Sequence, residues 1–131
     1  MKDIIFDDFQ NAVAGSLLRH KSILDILSKY QDSQSRATRA ICKAVTSCGC
    51  IEINASKQCL NNGDDILELK KCLDSHVTGK LCDNCREVVE RELGNNIFYL
   101  VSLCETLDIN FFDILIKENE KIKTLGEFTF R

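Results

Sequence analysis

Two short cysteine pairs constrain this chain more than any other feature. Cys48-Gly49-Cys50 and Cys82-Asp83-Asn84-Cys85 are separated by 31 residues. One or two intervening residues let a tight turn aim both sulfurs of a pair at one point. Four thiolates around one ion make a closed tetrahedral zinc site. The expected ligands are therefore Cys48, Cys50, Cys82 and Cys85, and the expected cofactor is a structural zinc ion. Residues 47–85 then read as a cysteine-rich insert whose loop has a reason to be ordered, because metal binding and folding are coupled.

Other readings of the same thiols stay open. An iron–sulfur cluster uses the same four ligands. Cys72 and His76, one helical turn apart, offer a different ligand set. A thiol–disulfide pair at Cys82 and Cys85 would profit from a helix N-terminus, which lowers a thiol pKa. Unrelated thiols are the plain alternative. Cys42 and Cys104 lie on or beside apolar helix stripes and read as small core residues. Cys59 has no clear assignment.

The rest of the chain is written for helices. It has no proline and no tryptophan among 131 residues, and a chain without proline suits uninterrupted helices. The apolar fraction of 44% and charged fraction of 28% fit one globular domain spanning residues 1–131. A net charge of −3 gives no basic footprint for nucleic acid. No apolar run reaches the length of a membrane span. The N-terminal Met1-Lys2-Asp3-Ile4-Ile5-Phe6-Asp7-Asp8 turns acidic at once and does not read as a secretory signal. With eight cysteines and no such signal, a cytoplasmic protein with metal or redox chemistry is the expectation.

Periodicity places four main helices. The first spans about Asp8 to Tyr30, on a stripe of Phe9, Val13, Leu17, Leu24 and Leu27. His20 falls on that stripe and reads as a core or interface histidine. The second spans about Ser33 to Thr46, capped by Asp32 or Ser33, with Ala37, Ala40, Ile41, Ala44 and Val45 as a narrow face for close helix approach. Its outer face carries Arg36, Arg39 and Lys43, a candidate phosphate-binding set, though a solvated basic face is the plainer account. The third runs from Asp83 to about Leu107. Its stripe Val89, Leu93, Ile97, Leu100, Cys104 and Leu107 steps by 4, 4, 3, 4 and 3. Gly94 in mid-helix reads as a point of close packing. Asn110 caps a fourth helix ending near Thr124, with Asp113 three residues after the cap.

Between the second and third helices the helical period stops. Ile51 and Ile53 suggest a short extended piece, and Asn61-Asn62-Gly63 a turn. Asp64 or Asp65 would cap a shorter helix through about His76, and Val77 to Leu81 reads as a loop. The tail carries Phe128 and Phe130, which would pack on the bundle or on a second subunit.

The third helix also carries Glu87, Glu90, Glu92 and Asn95. Glu92, Asn95 and Tyr99 share one face, and oxygen ligands three or four apart can meet one divalent cation. A solvated acidic face near a helix N-terminus is the plainer account. The segment Glu87-Val88-Val89-Glu90-Arg91-Glu92-Leu93-Gly94-Asn95-Asn96-Ile97-Phe98-Tyr99-Leu100 resembles the third helix of MazG-type nucleoside triphosphate pyrophosphohydrolases. Leu107-Asp108-Ile109-Asn110-Phe111 and Ile116-Lys117-Glu118-Asn119-Glu120-Lys121 continue that resemblance, which covers about Glu87 to Lys123. It implies an all-α bundle, commonly dimeric, that cleaves nucleoside triphosphates with Mg²⁺. The family's E-x-x-D motif maps to Glu92 and Asn95, so an amide replaces the aspartate. The family's E-E-x-x-E motif on the second helix has no counterpart in Arg36 to Val45. The cysteine pairs are not part of the family pattern.

Three functions follow as expectations. The first is a MazG-like, homodimeric, non-catalytic protein with a structural zinc site, binding a nucleotide, another phosphate ligand or a partner. The second is an active pyrophosphohydrolase with a rearranged Mg²⁺ site built on Glu87, Glu90, Glu92 and Asn95. The third is a thiol-based redox or metal sensor. Neither nucleic acid nor a membrane is expected as a partner.

Overall fold

The computed structural model of the chain describes residues 2–17, 21–59 and 66–126, without the side chains at 2, 3 and 66. His20, the Asn61–Gly63 turn, the caps at Asp64 and Asp65, and Phe128 and Phe130 lie outside the described residues. The fold is mostly helical. In order come α1 (Lys2–Ser16), α2 (Ile23–Lys43), a π-helical turn (Ala44–Cys48), β1 (Ile51–Ile53), α3 (Ile66–Cys72), β2 (Val77–Gly79), α4 (Asp83–Thr106) and α5 (Phe111–Leu125). Among the described residues, no helix is long and apolar enough to cross a membrane. The chain divides into two compact units: Met1–Thr38 with Glu90–Arg131, and Arg39–Val89. The division falls inside α2 and inside α4.

In the first unit α1 packs on α5. Phe6 supplies the contact, with ring centroids 6.1 Å from Phe111 and 5.6 Å from Phe112. Gln10 ties α1 to the corner between α4 and α5. Its Nε2 donates to Glu105 Oε2 at 3.1 Å and to the Ile109 carbonyl at 2.9 Å, and its Oε1 accepts from the Phe111 N–H at 2.9 Å. The corner itself closes α4 in a Schellman arrangement. The Ile109 N–H reaches the Cys104 carbonyl at 2.8 Å, and the Asp108 N–H reaches Glu105 at 3.3 Å. Asp108 takes the left-handed position with φ 56°, which a short polar side chain tolerates. Asn110 then caps α5 as its sequence suggests, its Oδ1 accepting from the Asp113 N–H at 3.1 Å.

Helix boundaries near the N-terminus differ from the sequence expectation. The chain breaks after Ser16, and α2 runs unbroken through Tyr30 to Ser33. Gly15 weakens the end of α1, and the Leu17 N–H bonds back to Ala14, the tighter turn of a helix end. Asp32 and Ser33, which look like caps, serve inside α2 instead. Asp32 pairs with Arg36 one turn on, at 3.0 Å. Ser33 is buried, donates to the Tyr30 carbonyl at 2.6 Å and accepts from Asn96 Nδ2 on α4 at 3.1 Å.

This shift changes which apolar residues are inside. Val13, Ile26, Ala37, Val101 and Cys104 are buried, whereas Leu24 is 76% exposed. Leu27, Leu93, Ile97 and Leu107 are also exposed, although the stripes place them in the core. Cys104 is a core residue as expected, and burial pushes its thiol up. Cys42 is exposed, because it lies about 140° around α2 from Ala37 at about 100° per residue. Among the described residues Gly94 has no packing partner: apart from its own helix backbone, a Cβ there would meet no atom within 4 Å.

In the second unit β1 pairs antiparallel with β2, in the register Ile51↔Gly79, Glu52↔Thr78 and Ile53↔Val77. The extended piece at Ile51–Ile53 is as expected; of the loop expected at Val77–Leu81, Val77–Gly79 is instead a strand and Lys80 and Leu81 remain irregular. Three residues are too few to display alternation, and Gly79 masks the β-preference of Val77 and Thr78. Helix α3 stops at Cys72, short of His76, which adopts φ 62°.

Two measurements test this packing. Gln10→Ala removes three hydrogen bonds at one corner, two of them to backbone, and should destabilise the protein by about 1–3 kcal/mol in chemical denaturation. Gly94→Ala should raise stability by about 0.8–1 kcal/mol, since it gains helix propensity in open space; a loss would show that Gly94 is packed after all.

Candidate metal centre

Each ligand pair sits where one element ends and another begins. Cys48 is the last residue of the π turn that closes α2. Thr46 Oγ1 bonds back to the Cys42 carbonyl at 3.0 Å, and the Gly49 N–H reaches back five residues to Ala44 at 2.9 Å. Gly49 adopts φ 82°, a left-handed turn that glycine makes without steric cost. The chain reverses there, and Cys50 follows Cys48 with its thiol 3.8 Å from the Ala44 carbonyl. Inserted π turns of this kind often mark functional sites.

The second pair is built on the N-terminus of α4. Cys82 precedes the helix, and its carbonyl accepts from the Arg86 N–H at 2.8 Å. Its sulfur accepts from the Cys85 N–H at 3.4 Å, a thiol acting as N-cap. Cys85 lies in the first turn. The hairpin brings the pairs together, since Ile51 follows Cys50 and its partner Gly79 precedes Cys82 by three positions. Gly79 is required at that spot. It has φ 85°, and a Cβ would stand 2.6 Å from the Cys50 carbonyl oxygen.

The result is one cluster. A ligand sulfur from each of Cys48, Cys50, Cys82 and Cys85 lies within 4.8 Å of the others. Cys48 and Cys82 sulfurs are 3.8 Å apart. Four sulfurs in a tetrahedron about 2.3 Å from a zinc ion lie about 3.8 Å from one another. The cluster is thus close to the geometry that a tetrahedral ion needs, with soft donors alone. Among the described residues it is the one group of three or more such side chains that could hold a metal.

The thiols influence one another strongly. The backbone N–H of Cys85 and then the Cys85 thiol stabilise a thiolate on Cys82, whose pKa falls to about 7. Cys85, giving its hydrogen bond to Cys82, is pushed up to about 12. One thiolate forms readily and its neighbour resists. A cation among the four removes that resistance, because thiolates are the form that binds metal.

The other cysteines stand apart. Cys59, unassigned from sequence, is joined to Cys72 in a disulfide with Cα atoms 5.7 Å apart. Cys72 and His76 therefore do not form an alternative ligand set with the second pair. The loop carrying His76 is braced by Gln58, which donates to the Asp74 carbonyl at 2.7 Å and accepts from the Asp74 N–H at 3.0 Å.

The carboxylates of α4 do not gather. Glu87 and Glu90 are exposed. Glu92 is half-buried; its Oε1 is 3.9 Å from Arg91 Nε, and its Oε2 is buried without a hydrogen-bond partner. Asn95 and Tyr99 line a pocket of about 230 Å³ in the first unit, together with Lys29, Asp32, Ser33 and Arg36. Hydrogen bonding to Asp32, then the charges of Asp32 and Glu92, raise the Arg36 pKa. Of the basic trio on α2, only Arg36 lines this pocket. Lys43 lies at the rim of a second pocket of about 230 Å³, beside Cys48 and Cys85, over an apolar floor of Ala40, Ala44 and Val88. Arg39 lines neither. Sequence reasoning missed Lys29, Asp32 and Ser33 as pocket residues, because it placed a helix boundary among them.

No protein-family profile, curated protein or solved structure matches the chain.

Gly79→Ala should separate the two ligand pairs. Its left-handed backbone alone costs an alanine roughly 1–2 kcal/mol, and the Cys50 carbonyl must also move. The expected outcome is weaker zinc binding in competition with a chromophoric chelator, while the α1–α5 packing, read from the amide spectrum, is unchanged.

Proposed function

We propose that this chain is a MazG-like helical protein in which Cys48, Cys50, Cys82 and Cys85 hold a structural zinc ion, and that it binds a ligand or partner rather than catalysing a reaction. One observation carries the metal: four sulfurs from two separate turns converge within 4.8 Å. Four soft ligands complete a tetrahedron and leave no position for a reacting water, which is the pattern of structural sites. Iron in place of zinc would use the same thiolates and declare itself by colour.

The non-catalytic part of the reading draws on the pocket beside Asn95. A pyrophosphohydrolase relies on Mg²⁺ to neutralise phosphate and activate water. Here an amide replaces one carboxylate of the family motif, and Asp32 is engaged by Arg36 at 3.0 Å. Arg36 and Lys29 supply positive charge to the same pocket. Guanidinium grips phosphate or carboxylate in a bidentate way without metal, so an anionic ligand, such as a nucleotide, suits this pocket. The alternative, an active enzyme with a rearranged Mg²⁺ site, draws on the buried, unpartnered Oε2 of Glu92. Glu92→Gln would abolish such an activity, and an unchanged rate would remove Glu92 from its mechanism.

A homodimer belongs to the same proposal. Leu24 and Leu27 on α2, and Leu93 and Ile97 on α4, are exposed apolar side chains that a second copy could cover. A cytoplasmic setting keeps four thiols reduced for the ion; the Cys59–Cys72 bridge is the feature that fits it least well.

Native mass spectrometry on protein purified without air or chelator tests all of this at once. The expected result is one zinc per chain, a dimer mass and, where the ligand is tight, a retained anion. A chain that is metal-free and takes up no added zinc overturns the proposal.

A further inference from the structure

The geometry points to Cys48 and Cys82 as an oxidation site within the metal centre: a hydroperoxide joins them in a disulfide across the two ligand pairs and expels the ion. This inference rests on the metal-site reading and adds to it a regulated state.

Three observations select this bond among the combinations that four thiols allow. The first is proximity. The Cys48 and Cys82 sulfurs stand 3.8 Å apart, and bridging needs only their approach to about 2.05 Å. The second is exposure. Cys48 is exposed, whereas Cys50, Cys82 and Cys85 are half-buried. With a metal bound all four are thiolates, so access to oxidant decides which reacts first. The third is what the competing bonds would disrupt. Cys82 and Cys85 are already locked together by the N–H to sulfur contact at 3.4 Å that caps α4. A bond from Cys82 to Cys85 would compete with that cap inside the first turn of α4, whereas Cys48 belongs to the other turn and its sulfur stands 3.8 Å from that of Cys82.

The chemistry balances with a hydroperoxide as the two-electron oxidant. The Cys48 thiolate attacks the peroxide oxygen, the O–O bond breaks, and hydroxide or alkoxide leaves, giving a sulfenic acid on Cys48. The Cys82 thiolate then displaces hydroxide from that sulfur and forms the S–S bond. Two thiolates have lost two electrons and the peroxide has gained them. Two of four ligands are withdrawn, leaving Cys50 and Cys85 as a pair too weak to retain the ion. The bridge spans 34 positions and joins the same turns that the ion held, so the β1–β2 hairpin keeps its ends together and a dithiol can reverse the step. Cys59 and Cys72, already paired in the same unit, take no part.

The test uses the full-length, zinc-loaded protein and hydrogen peroxide. Metal release is followed with a chromogenic chelator, and disulfides are mapped on non-reduced peptides after alkylation of the remaining thiols. Zinc release in step with the appearance of the Cys48–Cys82 peptide is expected, with Cys50 and Cys85 alkylated. Dimedone added with limiting peroxide should label Cys48, more heavily in Cys82→Ala, where the second step is blocked. Should that variant fail to hold zinc, labelling and mapping of the wild-type protein still decide. A first bridge at Cys48–Cys50 or Cys82–Cys85, or zinc retained under excess peroxide with its thiols intact, overturns the inference. Failure of the metal reading is separable: a chain that never takes up zinc refutes the metal centre, while the same peptide map on that chain still tests the pairing.

Discussion

Four thiols within 4.8 Å of one another cannot all ionise without a counter-charge. Most of the second unit depends on how that problem is met. The depressed pKa of Cys82 and the raised pKa of Cys85 are two sides of it: one thiolate is stabilised by the neighbour that stays protonated. A divalent cation replaces this standoff by attraction to all four. Among the described residues of the unit, Ala44, Ile51 and Val89 are the buried apolar ones, its sheet is two strands of three residues, and Cys59–Cys72 is a covalent tie. A core that small contributes little by area, so a metal ion held by the four thiolates would add a stabilising term large beside it.

The first unit is held by different means. Its strongest specific contacts converge on a corner rather than on a core layer. Gln10 satisfies one backbone donor and one backbone acceptor at the exit of α4. The Schellman closure at Asp108 and the Asn110 cap satisfy the others nearby. Polar groups also line the buried helix faces: Ser33 meets Asn96, and Ser102 bonds the Phe98 carbonyl at 2.7 Å. Such hydrogen bonds fix register but add little net stability each. That account agrees with the apolar surface left on Leu24, Leu27, Leu93 and Ile97. A helical unit that buries serine and exposes leucine has its remaining hydrophobic contacts available for another surface.

Legibility in the sequence followed the range of the interactions involved. The cysteine cluster could be read because its signal is local: two residues in one turn, then two more in another. The Asn110 cap and the span of α4 were legible for the same reason. The α1–α2 boundary was not, because Asp32 and Ser33 carry capping chemistry that α2 uses for an ion pair and a cross-helix hydrogen bond. Only the position of Asn96 on another helix decides between those uses. Strand β2 was hidden because its one informative residue, Gly79, acts against strand propensity and is explained by the distant Cys50 carbonyl. The core stripes were misjudged where a helix has apolar residues on two faces. Periodicity finds both faces and cannot say which one meets a neighbour.

The pocket at Asn95 shows how a small change of charge redirects a site. A carboxylate pair on α4 facing carboxylates on α2 would demand a divalent cation. Asn95 removes one charge, and Arg36 brings a permanent positive charge beside Asp32 and within the field of Glu92. A guanidinium there can meet the charge of an anion, but it cannot bind and activate water as a metal does. Its position is fixed by the 3.0 Å contact with Asp32, which orients the fork and leaves its remaining N–H groups for a ligand. In the proposed reading, this arrangement would suit binding of an anion and would not support metal-assisted hydrolysis. That is the physical reason for reading the helical unit as a receptor for an anionic ligand, with the metal chemistry of the chain confined to its cysteines.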